Sequence, residues 1–440
     1  MSRFLLPLAL SLSLIAPVAA QPAREKKVRD DKAKVEAAGY WIYNDLPRAL
    51  AESRATGRPV VAVLRCLPCE ECVKLDDDLV DTDPVLRPLL DRYVRVRLVS
   101  ANGLDLSLFQ YDYDQSFAAF LFNADGTVYG RFGTRSHRTN WVGDVSIDGL
   151  AEALRAGLDL HAGYPGNKAA LAGKRGPAPE FPVPERFPAL QGKYGPRLNY
   201  EGNVVRSCIH CHQVGEAIRS VHRRRPGPLP EEVLFPYPHP KSHGLVLDPK
   251  ERATVRGVTP GSSAEAAGFR AGDAVRTLAG QPLVSIADVQ WVLHRAAADG
   301  TVLLAEVVRD GRPVSLTWTL PAGWRQRDDI SWRASTWELR RAAAGGMLLV
   351  EPPDGRPVGV PATGTALLVK HVGQYPPHDT AKAAGFRPGD VIVAFDGRTD
   401  LSRETDLLAY ALRSRRPGDT VAVKLIRDGK PMELKLPIAE

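Results

Sequence analysis

Three cysteines at intervals of three residues are the first group in this sequence that could carry thiol–disulfide chemistry. Cys66, Cys69 and Cys72 form two overlapping C-x-x-C pairs directly after an apolar run. If the chain turns into a helix here, the unpaired backbone N–H groups favour the thiolate, which is the reactive form of a thiol. The second thiol of a pair can then attack a mixed disulfide formed by the first. Either pair fits this spacing, and a structural disulfide with one spare thiol is the alternative.

A second cysteine motif is followed by a histidine. Cys208, Cys211 and His212 form C-x-x-C-H, the attachment sequence of c-type haem, in which both sulfurs bond the porphyrin and the histidine binds iron. The motif resembles a cytochrome c haem site and predicts a covalent haem c. Zinc is the competing cofactor, because these three residues and one further histidine would give Zn²⁺ four suitable ligands. A plain disulfide is the third alternative.

The sixth ligand of such a haem iron is sought by elimination. Beyond the N-terminal run the methionines are Met347 and Met432, and both lie in C-terminal repeats. The nearer candidates are histidines, namely His222, His239 and His243. The sequence therefore predicts either a bis-histidine iron or an open sixth position, with a lower reduction potential than a histidine/methionine site.

Alternating helix and strand patterns surround the first cysteine cluster. The predicted elements are a helix over 46–55, strands over 58–64 and 93–99, a hairpin of 117–122 and 127–132, and a helix over 150–160. The period of the apolar residues distinguishes the helices from the strands, and an Asp-Gly pair supplies the hairpin turn. These elements predict an α/β domain over about 36–160, in which the cysteines follow the first buried strand.

This α/β domain resembles the thioredoxin-like proteins of bacterial envelopes. The resemblance is carried by Arg58-Pro59, Cys69-Glu70-Glu71-Cys72, Leu75, Asp83-Pro84-Val85, Leu89-Leu90 and Tyr93-Val94-Arg95-Val96. It implies a redox pair in which Cys69 attacks and Cys72 resolves, with Cys66 as an extra thiol. The rival register uses Cys66 and Cys69. Two positions depart from the pattern of the fold, because Pro68 replaces an aromatic residue and Phe117 stands where a cis-proline normally faces the disulfide.

A motif of ten residues occurs twice in the C-terminal part of the chain. Residues 266–275 recur as 383–392, at an offset of 117. Each copy continues with a short strand, a turn, a helix and a hairpin. The helices are predicted over 286–297 and 404–413. Two homologous β-rich domains therefore close the chain.

The repeats resemble PDZ domains of the bacterial envelope type, over about 243–321 and 338–438. Such domains bind the C-terminal tail of a protein by adding it as a strand beside a loop whose N–H groups hold the carboxylate. By this resemblance Gly244, Leu245, Val246 and Leu247 form that loop in the first copy. The nearest equivalent in the second copy is Gly346-Met347-Leu348-Leu349. A spacer or a contact surface with a closed groove is the alternative.

The length and composition of the chain limit its number of domains and the classes of protein to which it can belong. Its 440 residues suggest three or four domains, and 44% hydrophobic with 25% charged residues exclude a disordered chain and a multi-span membrane protein. The 58 basic and 51 acidic residues are interspersed, so the net charge of +7 gives no reason to expect a nucleic-acid partner. Between the domains we predict a proline- and glycine-rich linker over 161–195, a separate C-x-x-C-H segment over 196–242 and a second linker over 322–337.

The N-terminus predicts export. Arg3 precedes an uncharged, leucine-rich run that ends in Val18-Ala19-Ala20, which is the order of a secretory signal peptide. Pro7 and Pro17 interrupt the run, so it makes a poor membrane span, and an uncleaved anchor is the alternative. We expect a signal peptide over 1–20 and a mature chain in the periplasm or another extracytoplasmic compartment, where disulfides persist.

Two functions from different classes follow from this organisation. The first is an extracytoplasmic redox protein, in which the dithiol exchanges with a protein thiol or disulfide, the haem relays single electrons and the PDZ domains bind C-terminal tails. The second is a non-catalytic PDZ adaptor whose cysteines are structural or bind zinc. The sequence contains no Gly-x-Ser-x-Gly or equivalent nucleophile motif, and on that ground a serine protease is not expected.

Overall fold

The structure, a computed structural model, describes residues 20–65, 83–135 and 146–439. Its helices are α1 (Ala20–Ala38), α2 (Leu46–Thr56), α3 (Leu86–Leu90), α4 (Ile147–Ala162), α5 (Lys168–Leu171), α6 (Cys211–Arg223), α7 (Glu231–Leu234), α8 (Ser263–Ala266), α9 (Ile286–Arg295), α10 (Thr336–Ala344), α11 (Thr380–Ala383) and α12 (Glu404–Ser414). Its strands are β1 (Ile42–Tyr43), β2 (Val60–Arg65), β3 (Val94–Leu98), β4 (Gln115–Phe122), β5 (Val128–Arg135), β6 (Leu245–Leu247), β7 (Val255–Val258), β8 (Ala274–Leu278), β9 (Gln281–Pro282), β10 (Thr301–Arg309), β11 (Arg312–Leu320), β12 (Met347–Val350), β13 (Leu367–Val372), β14 (Val391–Phe395), β15 (Thr420–Arg427) and β16 (Lys430–Pro437). Short 3₁₀ helices cover Ala172–Lys174, Pro184–Arg186, Pro240–His243 and Trp324–Arg327. Within these ranges, no helix combines the length and the apolar character needed to cross a membrane.

The first five strands form one sheet in the order β1-β3-β2-β4-β5. β1, β3 and β2 run parallel, whereas β4 is antiparallel to β2 and β5 is antiparallel to β4. Val60, Ala62 and Leu64 of the central strand pack in one apolar cluster, and Val61 and Val63 pack in another. Alternate residues of a strand face opposite sides of the sheet, so both faces are covered and every residue of β2 is buried. The predicted α/β pattern of this domain is confirmed.

The charged residues that follow the N-terminal run form a helix that the sequence patterns do not predict. Helix α1 has few apolar residues, but Val28 and Val35 are 4% exposed and anchor it to the N-terminal domain. Asp31 of this helix also forms an ion pair with Arg65 at the end of β2. Tertiary contacts of two valines and one carboxylate therefore position a helix whose own sequence gives little amphipathic signal.

Residues 161–195 do not form a free linker, and the sequence-based prediction is wrong on this point. Leu171, Phe187 and Leu190 belong to the apolar clusters on the two faces of the N-terminal sheet. Lys174 is also buried, with 1% of its surface exposed. Prolines and glycines interrupt regular helices here, but they do not stop the apolar side chains between them from packing on a neighbouring sheet.

The C-x-x-C-H segment is not a separate module either. Ile209, Val214 and Ala217, at and after the start of α6, share one apolar cluster with Val60 and Leu98 of the N-terminal sheet. The segment predicted over 196–242 is therefore part of the packing of the N-terminal domain, because its apolar residues have no core of their own to form.

The predicted second linker, 322–337, is likewise built into the fold. Trp324 and Ile330 are at most 1% exposed. Arg325 donates hydrogen bonds to the carbonyl oxygens of Leu293 and His294, at 3.1 and 2.7 Å, near the C-terminal end of α9. These bonds satisfy carbonyl groups that a helix end leaves without partners.

Each C-terminal repeat contains an antiparallel sheet and one long helix, as predicted. The first repeat has a four-stranded sheet, β11-β10-β8-β9, and the pair β6-β7, whereas the second has one five-stranded sheet, β12-β13-β14-β15-β16. Asp310-Gly311 and Asp428-Gly429 lie at positive φ in the two final hairpins, which is the turn geometry that Asp-Gly favours.

Helix α9 joins the first repeat to the N-terminal domain. Its first eight residues are all buried, because the helix packs on β5 as well as on its own repeat. A Cβ atom at Gly130 of β5 would lie 2.1 Å from Cγ2 of Val284, so only glycine permits this approach. Asp288 of α9 accepts hydrogen bonds from Nζ of Lys174 at 2.6 Å and from the backbone N–H of Arg131 at 3.2 Å. The domains therefore share a buried, charged interface.

Candidate functional site

The first cysteine cluster, Cys66, Cys69 and Cys72, lies outside the described residues. The strand that leads to it is described: β2 is central in the sheet and ends at Arg65, one residue before the cluster. Phe117 of β4 pairs with Arg65 and is 1% exposed, as the predicted hairpin register requires. β4 contains no proline, so the position opposite the end of β2 differs from the cis-proline that is usual for the fold.

Cys208 and Cys211 lie on either side of a loop that enters helix α6, which begins at Cys211. The N–H of Ala101, just beyond the end of β3, donates to the carbonyl oxygen of Ile209 at 2.9 Å. The N–H of Ile209 donates to Oδ1 of Asn102 at 2.8 Å. These bonds hold the loop at the carboxyl end of β3. Because β2 and β3 are parallel, this is also the edge of the sheet at which β2 ends.

Both thiols of this second motif are buried in their protonated form. Cys208 is 4% exposed and Cys211 is 9% exposed. Burial raises the pKa of Cys208 to about 12. Burial also raises the pKa of Cys211, although the neighbouring Tyr111 acts in the opposite direction. Since the thiolate is the nucleophilic and metal-binding form, neither thiol is activated in this arrangement.

The packing around the two thiols does not fit a covalent haem. Cys208 packs among apolar residues that include Val99 and Val204, whereas Cys211 packs in a different cluster with Ile209 and Val214. A porphyrin bonded to both sulfurs would have to displace side chains from both clusters, and burial of apolar side chains is the main stabilising contribution to folding. Haem c therefore stays a prediction of the sequence that this geometry does not support.

The histidines proposed as iron or zinc ligands are not brought together. His212 is partly exposed, and its Nδ1 lies 2.9 Å from Oε1 of Glu216. His222 lies near the other end of α6, about 15 Å along the helix axis from His212. His239 and His243 are buried beside the first repeat. Over the described ranges no group of three or more His, Cys, Asp or Glu side chains could hold a metal ion, so the four ligands proposed for zinc are not assembled around His212.

We expect the thiols of Cys208 and Cys211 to react slowly in the folded protein. With the pKa of Cys208 at about 12, alkylation by iodoacetamide at pH 8 should be at least about a hundredfold slower than for a peptide thiol of ordinary pKa. In urea both thiols should react at the ordinary rate. Peptide mass spectrometry of timed samples measures both rates.

The same experiment separates the alternatives for this motif. A disulfide would react in urea only after reduction, and thioether bonds to haem would leave both sulfurs unreactive in urea with or without reductant. Equal alkylation rates in buffer and in urea would contradict the burial of the two thiols.

The predicted peptide-binding loop of the first repeat has a fixed backbone geometry. Gly244 has φ +86°, and a Cβ atom there would lie 2.1 Å from Oγ of Ser262. Leu245 and Leu247 are buried in the core of the repeat. His243, one of the candidate iron ligands, lies directly before this loop, is 1% exposed and has its ring centroid 5.1 Å from that of Trp324.

The corresponding strand of the second repeat already has a partner. β12 is the edge strand of its sheet, and the N–H of Leu349 donates to Oε1 of Glu404, the first residue of α12, at 2.8 Å. Arg340 of α10 holds the same carboxylate by two hydrogen bonds of 2.9 and 2.7 Å. A peptide that added to β12 would have to displace Glu404 at this position.

The chain is similar to periplasmic proteases over part of its length. It is 27% identical over 195 residues to a probable periplasmic serine endoprotease, DegP-like, of Pseudomonas fluorescens, and 27% identical over 196 residues to a protein of the same description from a Marinomonas species. Each match covers 44% of this chain, which spans 39% of the length of either relative. Among solved structures, the HtrA-type protease AlgW with a decapeptide matches at 22% identity over 21% of this chain and 28% of its own, with a TM-score of 0.17. The serine endoprotease of Yersinia pestis matches at 28% identity over 19% and 28%, with a TM-score of 0.14.

These relatives correct one expectation from the sequence. The missing Gly-x-Ser-x-Gly motif led to the prediction that the chain is not a serine protease. That prediction is wrong, because both curated relatives are named serine endoproteases. The absence of one nucleophile motif does not exclude this relationship, since nucleophiles of hydrolytic enzymes occur in unrelated sequence contexts.

Two family descriptions match the described domains. The family described as thioredoxin-like matches residues 41–124, which contain strands β1 to β4. The PDZ domain family matches residues 238–320 and 367–438, which cover the first repeat and most of the second. The chain therefore contains a thioredoxin-like domain followed by two PDZ domains.

Proposed function

We propose that this chain is an extracytoplasmic thiol–disulfide exchange protein that holds partner proteins by their C-terminal tails. In the exchange step Cys69 attacks a disulfide of the partner, and Cys72 then resolves the mixed disulfide. One S–S bond of the partner breaks, one S–S bond forms between Cys69 and Cys72, and two electrons and two protons pass to the partner sulfurs. The reverse reaction oxidises a partner dithiol.

The observation that carries this proposal is the position of β2. It is the central strand of the thioredoxin-like sheet, it is buried on both faces, and it ends one residue before the first cysteine of the cluster. A strand held in this way fixes the position of the backbone from which the cysteine segment continues. A reactive group needs such a fixed support to approach its partner in a defined geometry.

An extracytoplasmic location is supported by two independent features. The curated relatives are named periplasmic proteins, and the leucine-rich N-terminal run has the order of an export signal. In such a compartment a dithiol cycles between thiol and disulfide forms, because the surroundings are oxidising.

We propose that the first PDZ domain, in preference to the second, binds the C-terminal tail. Gly244 has a positive φ and β6 follows it directly, which supports the proposal that this loop receives the carboxylate of a tail. In the second PDZ domain the N–H of Leu349 is engaged by Glu404, so that domain needs a rearrangement before a tail can add to β12. A peptide that ends in an apolar residue is the probe of choice, since β-strand addition places alternate side chains in pockets.

A redox titration tests the proposed dithiol. The protein is equilibrated with glutathione buffers of increasing oxidising power, quenched by alkylation and analysed by peptide mass spectrometry. We expect Cys69 and Cys72 to change together as one two-electron couple. The variant Cys72→Ser should accumulate a mixed disulfide with glutathione on Cys69, because its resolving thiol is absent.

Cys66→Ser is the matched control and should keep the couple, since the extra thiol is not part of the pair. Loss of the couple in Cys66→Ser would support the rival register instead. If no thiol of the cluster responds to glutathione in any buffer, thiol–disulfide exchange is refuted.

A non-catalytic scaffold is the second candidate function, and one observation favours it. Lys174, Asp288 and Arg131 form a buried ionic group between the thioredoxin-like domain and the first PDZ domain. Such a group fixes the relative position of two domains, which suits a protein that presents binding sites in a defined arrangement. This function would be supported if no cysteine of the cluster changes its oxidation state in the glutathione titration while the protein still binds peptide.

A further inference from the structure

Helix α1 covers one of the two thiols of the second cysteine motif. Cys208 lies in a small apolar cluster whose other buried members are Val28 of α1, Val99, Leu198 and Val204. Cys211 packs in a different cluster, which is built on the N-terminal sheet and α6 and to which no described residue of α1 contributes. Helix α1 therefore shields Cys208 but not Cys211.

The same helix holds the loop over 198–205, which supplies two other members of the cluster. The two carboxylate oxygens of Glu25 accept hydrogen bonds from the backbone N–H groups of Val204 and Val205, at 3.1 and 2.9 Å. Arg29 donates hydrogen bonds to two carbonyl oxygens of this loop. Release of α1 would therefore remove one valine from the cluster and free the loop that carries two further members.

Few buried contacts anchor α1 to the domain. Between residues 22 and 38 only Val28 and Val35 are buried, and their separation by two helical turns places them on one face of the helix. Asp31 adds the ion pair with Arg65. An element with so few buried apolar contacts opens at a lower free energy than the whole domain.

A cleft of about 450 Å³ lies beside the C-terminal half of α1. Its walls include Lys32 and Glu36 of α1, Tyr43 of β1 and Leu98 of β3. Side chains that border a cleft have neighbours on one side only, so they gain less from dispersion attraction. This half of α1 is therefore packed less closely on the ends of the strands than a core helix would be.

Gly39 gives α1 a hinge. It follows the last residue of the helix and has φ +64°. No described residue apart from its chain neighbours lies within 4 Å of the place that a Cβ atom at Gly39 would take, so there is room for its φ and ψ to change. Hinges are a few residues at the ends of elements that absorb such changes. Gly39 therefore allows α1 to move as one body relative to β1.

Lifting of α1 would change the reactivity of Cys208. Burial is the largest cause of the high pKa of its thiol, and α1 contributes to that burial through Val28 and through the loop that it holds. Exposure to water would lower the pKa towards its ordinary value and raise the fraction of thiolate, which is the reactive form.

We propose that α1 is a strap, hinged at Gly39, that lifts from the domain as one unit and thereby controls the access of reagents to Cys208. The N-terminal sheet stays folded when the strap lifts, so Cys211 stays buried. The strap acts neither on Cys69 and Cys72 nor on the PDZ loops, so its test does not depend on the proposed function.

Alkylation of the full chain tests the strap at a residue remote from the thiol. Val35 lies about 10 Å along the helix axis from Val28, and it packs in a cluster that does not contain Cys208. Val35→Ser should nevertheless raise the rate at which iodoacetamide modifies Cys208 at least about tenfold, because loss of a buried valine favours the lifted state of the whole helix. Cys211 should keep its wild-type rate. Peptide mass spectrometry of timed samples gives both rates from one reaction.

Ala33→Ser is the matched control, because it introduces the same residue at an exposed position of α1. It should leave the rates of both thiols unchanged.

Hydrogen exchange of the wild-type protein gives a second measurement that needs no variant. The backbone amides of α1 should exchange at least about a hundredfold faster than those of β2, since local opening costs less free energy than global unfolding. In Val35→Ser the amides of α1 should exchange faster still, and those of β2 should keep their wild-type rates.

Three results would overturn the proposal. One is a rate of Cys208 in Val35→Ser that equals the wild type. Another is equal acceleration of Cys208 and Cys211, which would show that the whole domain opens. The third is exchange of the α1 amides as slow as that of β2, which would exclude a strap even if Val35→Ser prevented folding.

Discussion

Asp288→Ala is expected to lower the free energy of unfolding of the full chain by about 3–5 kcal/mol, because it leaves two buried cations without their carboxylate. Nζ of Lys174 lies 2.6 Å from Oδ2 of Asp288, and Nη1 of Arg131 lies 3.9 Å from Oδ1. All three residues are at most 2% exposed. Burial already lowers the pKa of Lys174, and the attraction of Asp288 opposes that effect. Urea denaturation followed by tryptophan fluorescence measures the loss.

The control for this prediction is Asp299→Asn, which removes an exposed carboxylate from the same PDZ domain. It should change the free energy of unfolding by less than about 0.5 kcal/mol. The double variant Asp288→Leu with Lys174→Met removes both members of the closest ion pair. It should lose less stability than Asp288→Ala alone, because no buried lysine is left without its carboxylate. Arg131 retains its hydrogen bonds to the carbonyl oxygens of Gln110 and residue 174. Equal losses in Asp288→Ala and Asp299→Asn would show that the buried charges do not hold the domains together.

Local patterns in the sequence were sufficient to predict several strands and turns of the fold. The β-branched run of β2, the Asp-Gly hairpins and the repeated Gly-Asp motif all act over a few residues, and each produced the predicted strand or turn. The thioredoxin-like domain and the two PDZ domains were predicted from resemblances to known families, and the family matches confirm them.

The contacts between the elements could not be predicted in this way. Residues 161–195 are rich in proline and glycine, which indicates irregular backbone but gives no information on whether that backbone is buried. Helix α1 is a second example, because its sequence is mostly charged and gives no indication that its two valines are buried and anchor it. Whether an irregular segment is buried depends on which sequence-distant part of the chain it packs against. That partner cannot be identified from a single sequence.

In the candidate sites, too, the motifs could be found in the sequence but their packing could not. The cysteine motifs are visible as spacings, but the burial of Cys208 and Cys211 in two apolar clusters arises from residues more than a hundred positions away, such as Val99. Arg219 appears in the sequence only as one basic residue in a charged helix. Its electrostatic surroundings are set by Asp114 and Arg333, which lie far from it in the chain and come near it only in the folded protein.

Arg333→Met is expected to destabilise the full chain by about 3–5 kcal/mol at pH 7, because it leaves two buried carboxylates without their main cation. Arg333 is 1% exposed, and it donates to Asp112 at 2.5 Å and to the carbonyl oxygen of Pro236 at 2.6 Å. It therefore ties the thioredoxin-like domain to the segment between the PDZ domains. Arg312→Met, on an exposed position of β11, is the control and should have little effect.

The dependence of this loss on pH identifies its cause. Burial alone would raise the pKa of Asp114, but Arg333, Arg219 and Ser335 hold it below its ordinary value. In the wild type the ionised carboxylate therefore adds stability above the unfolded pKa of roughly 3.9, and this contribution is lost as the pH falls through the lower folded value. Without Arg333 burial dominates, the folded pKa of Asp114 rises, and the ionised carboxylate becomes destabilising at neutral pH. The difference in unfolding free energy between wild type and variant should therefore be largest at pH 7 and shrink towards pH 4, whereas a difference that stays constant over this range would mean that Arg333 acts through packing and not through its charge.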